Sequence, residues 1–201
     1  MKNILILISV GLLIFSCGLR DPNKLIDEGY VSINTYKSNE IGWSITIPKG
    51  WVVVKQNNEE GMEAIEKTAG TKIDVSGLKQ LISFKKDPFN LFNSSSEPFK
   101  EEYPGEFIEN NRNLYKLIYD TYVNQGIKAD TTSIKNTVVD GFEFSTFELK
   151  VYAKDGNLIM TQLLYSRLIN GFQFGVNINY NNQKDRDIML KAFMNSKFTK
   201  K

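Results

Sequence analysis

The 201-residue chain contains no histidine and a single cysteine. Histidine is the usual general base near neutral pH and the commonest side-chain ligand of transition metals. A lone cysteine cannot form a disulfide within its own chain or build a thiolate metal cage. These two absences count against a histidine-dependent catalytic site and against a zinc centre. The sequence therefore predicts no cofactor, no metal site and no enzymatic activity.

An excess of charge of one sign is also lacking. The chain carries 25 basic and 23 acidic residues, a formal net charge of +2. Such a balance provides no strong attraction to nucleic acid, and no basic stripe interleaved with aromatic residues stands out. We therefore expect no nucleic-acid partner. The hydrophobic fraction of 41% is ordinary for a globular protein, and the length predicts one domain.

A short apolar run opens the chain. Lys2 precedes residues 4–15, which are almost wholly apolar, and Ser16-Cys17 follows. This run is too short to span a bilayer, which takes about 20 helical residues, but it is typical of the core of a signal peptide. Ile14, Ser16 and Cys17 resemble the lipobox of bacterial lipoproteins, with an aliphatic residue at −3 and a small residue at −1.

This resemblance predicts a signal peptide over residues 1–16 and a lipid anchor and tether over residues 17–36. Cys17 would carry a diacylglycerol and an N-acyl chain such as palmitate, which together anchor a protein permanently. Some Gram-negative lipoproteins carry an aspartate directly after the cysteine, and it retains them at the inner membrane. This chain has Gly18 at that position, which favours the outer membrane. The alternatives are an uncleaved anchor, an ordinary secretory leader, or a buried cysteine in an N-terminal helix.

Residues 37–201 are predicted to form a single α+β domain. Asp140-Gly141 and Asn170-Gly171 are typical two-residue hairpin turns, which indicate antiparallel order. Periodicity predicts helices at residues 59–69, 107–124 and 183–195, and strands at residues 43–47, 51–54, 81–84, 131–139, 142–151, 158–169 and 172–180, with a possible first strand at 30–36. The first two of the seven main strands are expected to form a hairpin through Pro48-Lys49-Gly50. A change of parity near Ser145-Thr146 predicts a β-bulge there.

Two short stretches stand out, Ile45-Thr46-Ile47-Pro48-Lys49-Gly50-Trp51 and, after the last predicted helix, Ser196-Lys197-Phe198. They resemble the PsbP-like family, which is named after an extrinsic subunit of the photosynthetic oxygen-evolving complex. Similar domains occur in a Ran-binding nuclear-import factor and in many bacterial lipoproteins. The resemblance implies an antiparallel sheet sandwiched by helices. It also implies binding or assembly more often than catalysis, with no shared active site to transfer.

Residues 87–106 are predicted to form a long loop, because they combine three prolines, a run of serines and several aromatic residues. Phe89, Phe92, Phe99 and Tyr103 are either a partner-binding or ligand-binding set or the anchors that hold a long connection on the core. A second candidate surface is the polar face of the last long strand, with Gln173, Asn177 and Asn179. Its plainer interpretation is a solvated sheet face.

The sequence thus favours a lipid-anchored binding or assembly module of the cell envelope, with an envelope protein as its partner. One alternative is a carrier of a small apolar ligand, which would use a pocket between helix and sheet. A less favoured alternative is an envelope hydrolase using two carboxylates about 5 to 10 Å apart. The candidate acids look instead like helix starts and exposed faces: Glu59, Glu60, Glu63, Glu101, Glu102, Glu106, Asp185 and Asp187.

Overall fold

Two antiparallel sheets and three helices make up residues 29–55, 59–72 and 77–199, the parts of the chain that the computed structural model describes. The predicted signal peptide and Cys17 lie outside these residues. No helix within the described ranges is long and apolar enough to cross a membrane. The α+β class predicted from the sequence is confirmed.

The smaller sheet has the order β1-β2-β3-β12. Its strands are β1 (Tyr30–Ser32), β2 (Thr35–Ser38), β3 (Trp43–Thr46) and β12 (Lys197–Phe198). The larger sheet has the order β4-β5-β6-β11-β10-β9-β7, and β8 also pairs with β9. Its strands are β4 (Val52–Val53), β5 (Lys79–Lys85), β6 (Leu91–Pro98), β7 (Ala129–Thr131), β8 (Lys135–Val139), β9 (Phe142–Tyr152), β10 (Leu158–Ile169) and β11 (Phe172–Tyr180).

The helices cover both faces of the larger sheet. They are α1 (Glu59–Ala69), α2 (Glu106–Asn124) and α3 (Gln183–Met194). Helices α1 and α2 pack on one face, which we call the α2 face, and α3 and the smaller sheet pack on the other. The larger sheet is therefore buried on both sides, as expected of a sheet sandwiched by helices.

Aromatic rings dominate the core between the two sheets. Trp43 stands at its centre, 4.9 Å from the ring of Phe174 and 6.5 Å from that of Phe92. The second core, under α2, is more aliphatic, with Leu114 and Ile118 of the helix packed near Leu149 and Leu164 of the sheet. Such burial of large apolar side chains is the main source of fold stability.

The turn residues behave as the sequence predicts. Asp140 and Asn170 adopt φ of 49° and 53°, and the glycine after each also has positive φ. Two successive residues of positive φ match the twist of a tight antiparallel hairpin. Helix α3 begins at Asn182, whose side-chain oxygen accepts a hydrogen bond of 2.9 Å from the backbone amide of Asp185, as expected of an N-cap.

The predicted hairpin around Pro48-Lys49-Gly50 is wrong. Strand β3 pairs with β2 and β12 in the smaller sheet, whereas β4 pairs with β5 in the larger one. The turn carries the chain from the smaller sheet to the larger one, because the strand before it is buried and the strand after it is exposed. Trp43 and Ile45 face the core, but Val52 and Val53 are exposed.

The predicted bulge at Ser145-Thr146 is also wrong. Pairing between β9 and β10 is unbroken from Met160↔Val151 to Ser166↔Ser145, and the irregularity of this pair lies near Leu158. The apolar residues change parity because β9 contributes to both cores: Phe144 packs on the α3 side and Phe147 under α2.

The folded domain begins before residue 37. Strand β1 and the first residues of β2 occupy part of the segment predicted as a tether, and Tyr36 is 1% exposed in the core between the sheets. The possible first strand at residues 30–36 is therefore present, as two strands joined by a tight turn.

Candidate functional site

The long loop predicted over residues 87–106 is instead a strand flanked by two short connections. Strand β6 lies between β5 and β11 in the middle of the larger sheet, and Phe92 is 0% exposed. The ring of Phe92 stacks on that of Phe84 at 4.6 Å. The prediction failed because the serine run Ser94-Ser95-Ser96 was taken as a loop signal, whereas all three residues are buried in the strand.

The other three aromatic residues of the predicted set do not form one surface. Phe99 is 6% exposed; its ring lies 6.1 Å from that of Phe107, and its amide donates to Gly171. Phe89 is half-buried against the core under α2. Tyr103 is 48% exposed, and it is the one member of the set that a partner could reach freely. The structure does not bring Phe89, Phe92, Phe99 and Tyr103 together as a binding site.

Acidic side chains surround Tyr103 at the start of α2. Its hydroxyl donates a hydrogen bond of 3.1 Å to Glu109. That bond and nearby negative charge raise the pKa of Tyr103, because an ionised phenol could no longer donate. Glu106 accepts from the backbone amide of Glu102, and Glu101 accepts from that of Phe107. These carboxylates stabilise the helix start, as the sequence predicts for them.

A polar network joins the β5–β6 turn to the start of α3. Lys86 donates to Asp185 at 2.8 Å, and Asp185 also accepts from Asn182. Desolvation tends to raise the pKa of Asp185, but the hydrogen bonds from Lys86 and Asn182 outweigh it and hold the pKa below its ordinary value. Asn90 extends the network by donating to Asp87 and Asn181. The closed set of mutual bonds is that of a structural clasp.

No group of three or more histidine, cysteine, aspartate or glutamate side chains suited to a metal ion occurs in the described ranges. Several acids instead accept hydrogen bonds from the backbone at helix starts or from neighbouring side chains. Asp187, for example, accepts from Arg186 and Gln183. The sequence prediction that these acids serve helix starts fits Glu101, Glu106 and Asp185.

The β1–β2 hairpin carries a group of exposed apolar side chains that the sequence analysis missed. Tyr30, Val31 and Ile33 are 50%, 46% and 95% exposed. Ile33 also has φ of 58°, a left-handed conformation that is a clear outlier for a β-branched residue. An isoleucine in a turn between two short strands could have indicated this exposed group. It was overlooked because the segment was interpreted as a tether.

The polar face of β11 is not solvated. Gln173, Asn177 and Asn179 are each 0% exposed, because α2 packs over this face of the sheet. Tyr115 of α2 fixes that contact, since its hydroxyl lies 2.8 Å from Ser166 Oγ on β10. Burial raises the pKa of Tyr115, as expected of a phenol in a dry environment. Neither a solvated face nor a directly accessible binding surface is therefore present here.

Comparison with known proteins identifies the fold. No protein-family model matches the sequence, and no curated protein is significantly similar to it. The structure is similar to the solution structure of cyanobacterial PsbP (CyanoP) from Synechocystis sp. PCC 6803, with a TM-score of 0.57 and 13% sequence identity. The match covers 85% of this chain and 96% of that chain. The PsbP-like fold predicted from the sequence is confirmed, and at this identity the likeness concerns the fold alone.

Proposed function

We propose that this chain is a lipoprotein of the bacterial cell envelope. Its PsbP-like domain binds a partner or assists assembly and does not catalyse a reaction. The observation that carries the proposal is the position of its single cysteine, Cys17, directly after an apolar leader and a serine. In this proposal, acylated Cys17 is the mature N-terminus, and the outer membrane is the expected site.

The start of the folded domain suits a short tether. Cys17 and Gly29 are separated by 11 residues, and a chain of that length extends at most about 40 Å. The β1–β2 hairpin follows immediately, so a lipid on Cys17 would keep this hairpin within that distance of the membrane. A partner located in or near the same membrane would therefore be close to the hairpin.

The hairpin also has the features of a protein-binding edge. Strand β1 pairs with β2 on one side and, among the described strands, with none on the other. An edge strand offers backbone donors and acceptors to an added strand, and exposed apolar residues beside it supply contacts. We propose that an extended segment of an envelope protein pairs with β1 and contacts Val31 and Ile33.

The alternative functions have less support. A carrier of a small apolar ligand needs an apolar chamber, but the middle of the α2 face presents amides and hydroxyls such as Gln173, Asn177 and Ser166. A carboxylate-dependent hydrolase needs two free acids across a cleft, whereas Glu101, Glu106 and Asp185 accept hydrogen bonds that stabilise helix starts.

Site-specific photo-crosslinking in the native bacterium tests the binding edge. A photoreactive residue at Ile33 should give one discrete protein adduct. The same residue at Val138, which is 64% exposed on β8 of the other sheet, should not. Equal adducts at both positions, or none at Ile33, would overturn the proposed surface.

Fractionation of cells that express the Cys17→Ser variant tests the anchor. The wild-type chain should be found with the membrane, and the variant should lose that association and the Ile33 adduct together. If the variant stays membrane-bound, the lipid anchor is wrong whatever the crosslinking result.

A further inference from the structure

A row of small residues crosses the larger sheet beneath α2. Ser95, Gly175, Ser166 and Ser145 are successive cross-strand partners on β6, β11, β10 and β9. Ser95 and Ser166 are 5% and 3% exposed, and Gly175 is also buried. Because none of these residues has more than two side-chain heavy atoms, the row forms a low floor where larger residues would fill the space under the helix.

A buried amide stands beside this floor without a hydrogen-bond partner. Gln173 projects from the same face of β11 as Gly175, two positions earlier in the strand. It is 0% exposed, and neither Nε2 nor Oε1 has a partner within the described protein. An amide offers two donors and an acceptor, so Gln173 has its full capacity unused.

A second unpartnered atom comes from the helix above. Asn111 is 1% exposed, and its Nδ2 donates to the carbonyl of Phe107 at 2.9 Å, but its Oδ1 has no partner. Asn111 lies one helical turn before Tyr115, on the same side of α2. Tyr115 reaches Ser166 with its hydroxyl, so this side of the helix faces the row.

Buried polar groups in native proteins almost always have hydrogen-bond partners, and where the protein supplies none an enclosed molecule does. We infer that the space between α2 and the small-residue row is an internal site for a small, uncharged, hydrogen-bonding molecule. The protein groups that bind this molecule are the amides of Gln173 and Asn111. The amides of Gln173 and Asn111 and the hydroxyls of the row offer hydrogen bonds and carry no charge, which suits a neutral occupant.

The occupant is either ordered water or a polar organic solute of similar chemistry, and both satisfy the same amides. A crystal structure of the full chain, at a resolution that shows ordered water, should contain density within hydrogen-bonding distance of Gln173 Nε2 or Oε1. Native mass spectrometry distinguishes the two sources, because a retained organic solute adds a defined mass. An empty site, or a Gln173 amide bonded to protein groups, would overturn the inference.

The Gln173→Leu variant gives an independent test in solution. If the amide binds an enclosed molecule, leucine removes those bonds, and the urea midpoint of unfolding falls. If the amide is dry and unpartnered, leucine removes a buried polar group at no loss, and the midpoint rises. Gln183→Leu is the matched control, because Gln183 is exposed in the first turn of α3, and its midpoint should not move. The site is independent of lipid on Cys17, so failure of this test leaves the proposed function untouched.

Discussion

At the scale of single residues, Phe92 and Tyr103 show how far apart neighbours in sequence can lie in environment. Phe92 has 0% exposure and contacts Trp43, Phe84 and Phe193, whereas Tyr103 is 48% exposed at the start of α2. Both are aromatic residues in the segment that was expected to be a loop. Only the structure separates a core ring from a surface ring.

Truncating these two residues should have very different effects. Phe92→Ala should lower the free energy of unfolding by about 3 to 5 kcal/mol, because it leaves a cavity in a well-packed core. Tyr103→Ala should change it by roughly 0.5 kcal/mol or less, since the ring is largely in water. Urea unfolding followed by tryptophan fluorescence measures both. Equal destabilisation by the two substitutions would contradict the placement of β6.

Asp185 links stability to pH. Its pKa is held below the ordinary carboxyl value by Lys86 and Asn182, despite desolvation. A group with a lowered folded-state pKa stabilises the fold above its unfolded pKa of about 3.9, and the contribution is lost as the pH falls through the folded-state pKa. The clasp between the β5–β6 turn and α3 should therefore weaken in acid.

The Asp185→Asn variant should lose about 1 to 3 kcal/mol of unfolding free energy at neutral pH. The difference from wild type should shrink as the pH falls below the unfolded pKa and then through the lowered folded-state pKa, because the carboxyl group becomes protonated in both states. Asp187→Asn is the control, because the Asp187 side chain is 58% exposed, and it should have little effect at neutral or acid pH. A deficit that persists undiminished in acid would show that the Asp185 charge is not responsible.

At the scale of elements, the β1–β2 hairpin combines strain with exposure. The backbone of Ile33 is strained at φ of 58°, and because the residue is 95% exposed, almost no side-chain packing offsets that strain. A residue that is unfavourable for the isolated domain in both respects is readily explained if a partner covers it. This is the physical link between the hairpin and the proposed binding edge.

Ile33→Asn should raise the free energy of unfolding by about 1 kcal/mol, because asparagine tolerates the left-handed region better than a β-branched residue. Ile33→Thr is the matched control: it keeps the branch and the strain but is less apolar, so stability should stay the same. Both variants should weaken partner capture. Thermal or urea unfolding checks the first expectation, and a loss of stability in Ile33→Asn would show that the isoleucine packs on something in the free domain.

The sequence predicted some elements well because their signals are local. The bounds of α1 agree with the prediction, and those of α2 and α3 differ by one residue, since apolar spacing and the Asn182 cap mark them. Strand β6 was missed because it buries Asn93, Ser95 and Glu97, and sequence patterns assume that buried strands are apolar. The polar interior of the α2 face is a property of cross-strand register, which no single segment reveals.

At the scale of the whole molecule, three layers follow from one sheet that is buried on both faces. The sequence resemblance to the PsbP-like family predicted this architecture, and the likeness to cyanobacterial PsbP confirms it. The split into two sheets was not predicted. It depends on β12 near the end of the chain pairing with β3 near its start, a contact that is non-local. The predicted site residues agree less well with the structure than the predicted fold does. Whether a side chain is exposed depends on which layers pack against it, and residue type alone does not reveal this.

We propose that this domain is held at a membrane by lipid on Cys17. Mass spectrometry of the N-terminal peptide of the protein purified from bacterial membranes would detect that lipid. The expected peptide begins at Cys17 and carries the mass of a diacylglycerol, with or without a further acyl chain. A peptide that begins at Met1, or an unmodified N-terminus produced by cleavage elsewhere, would contradict it.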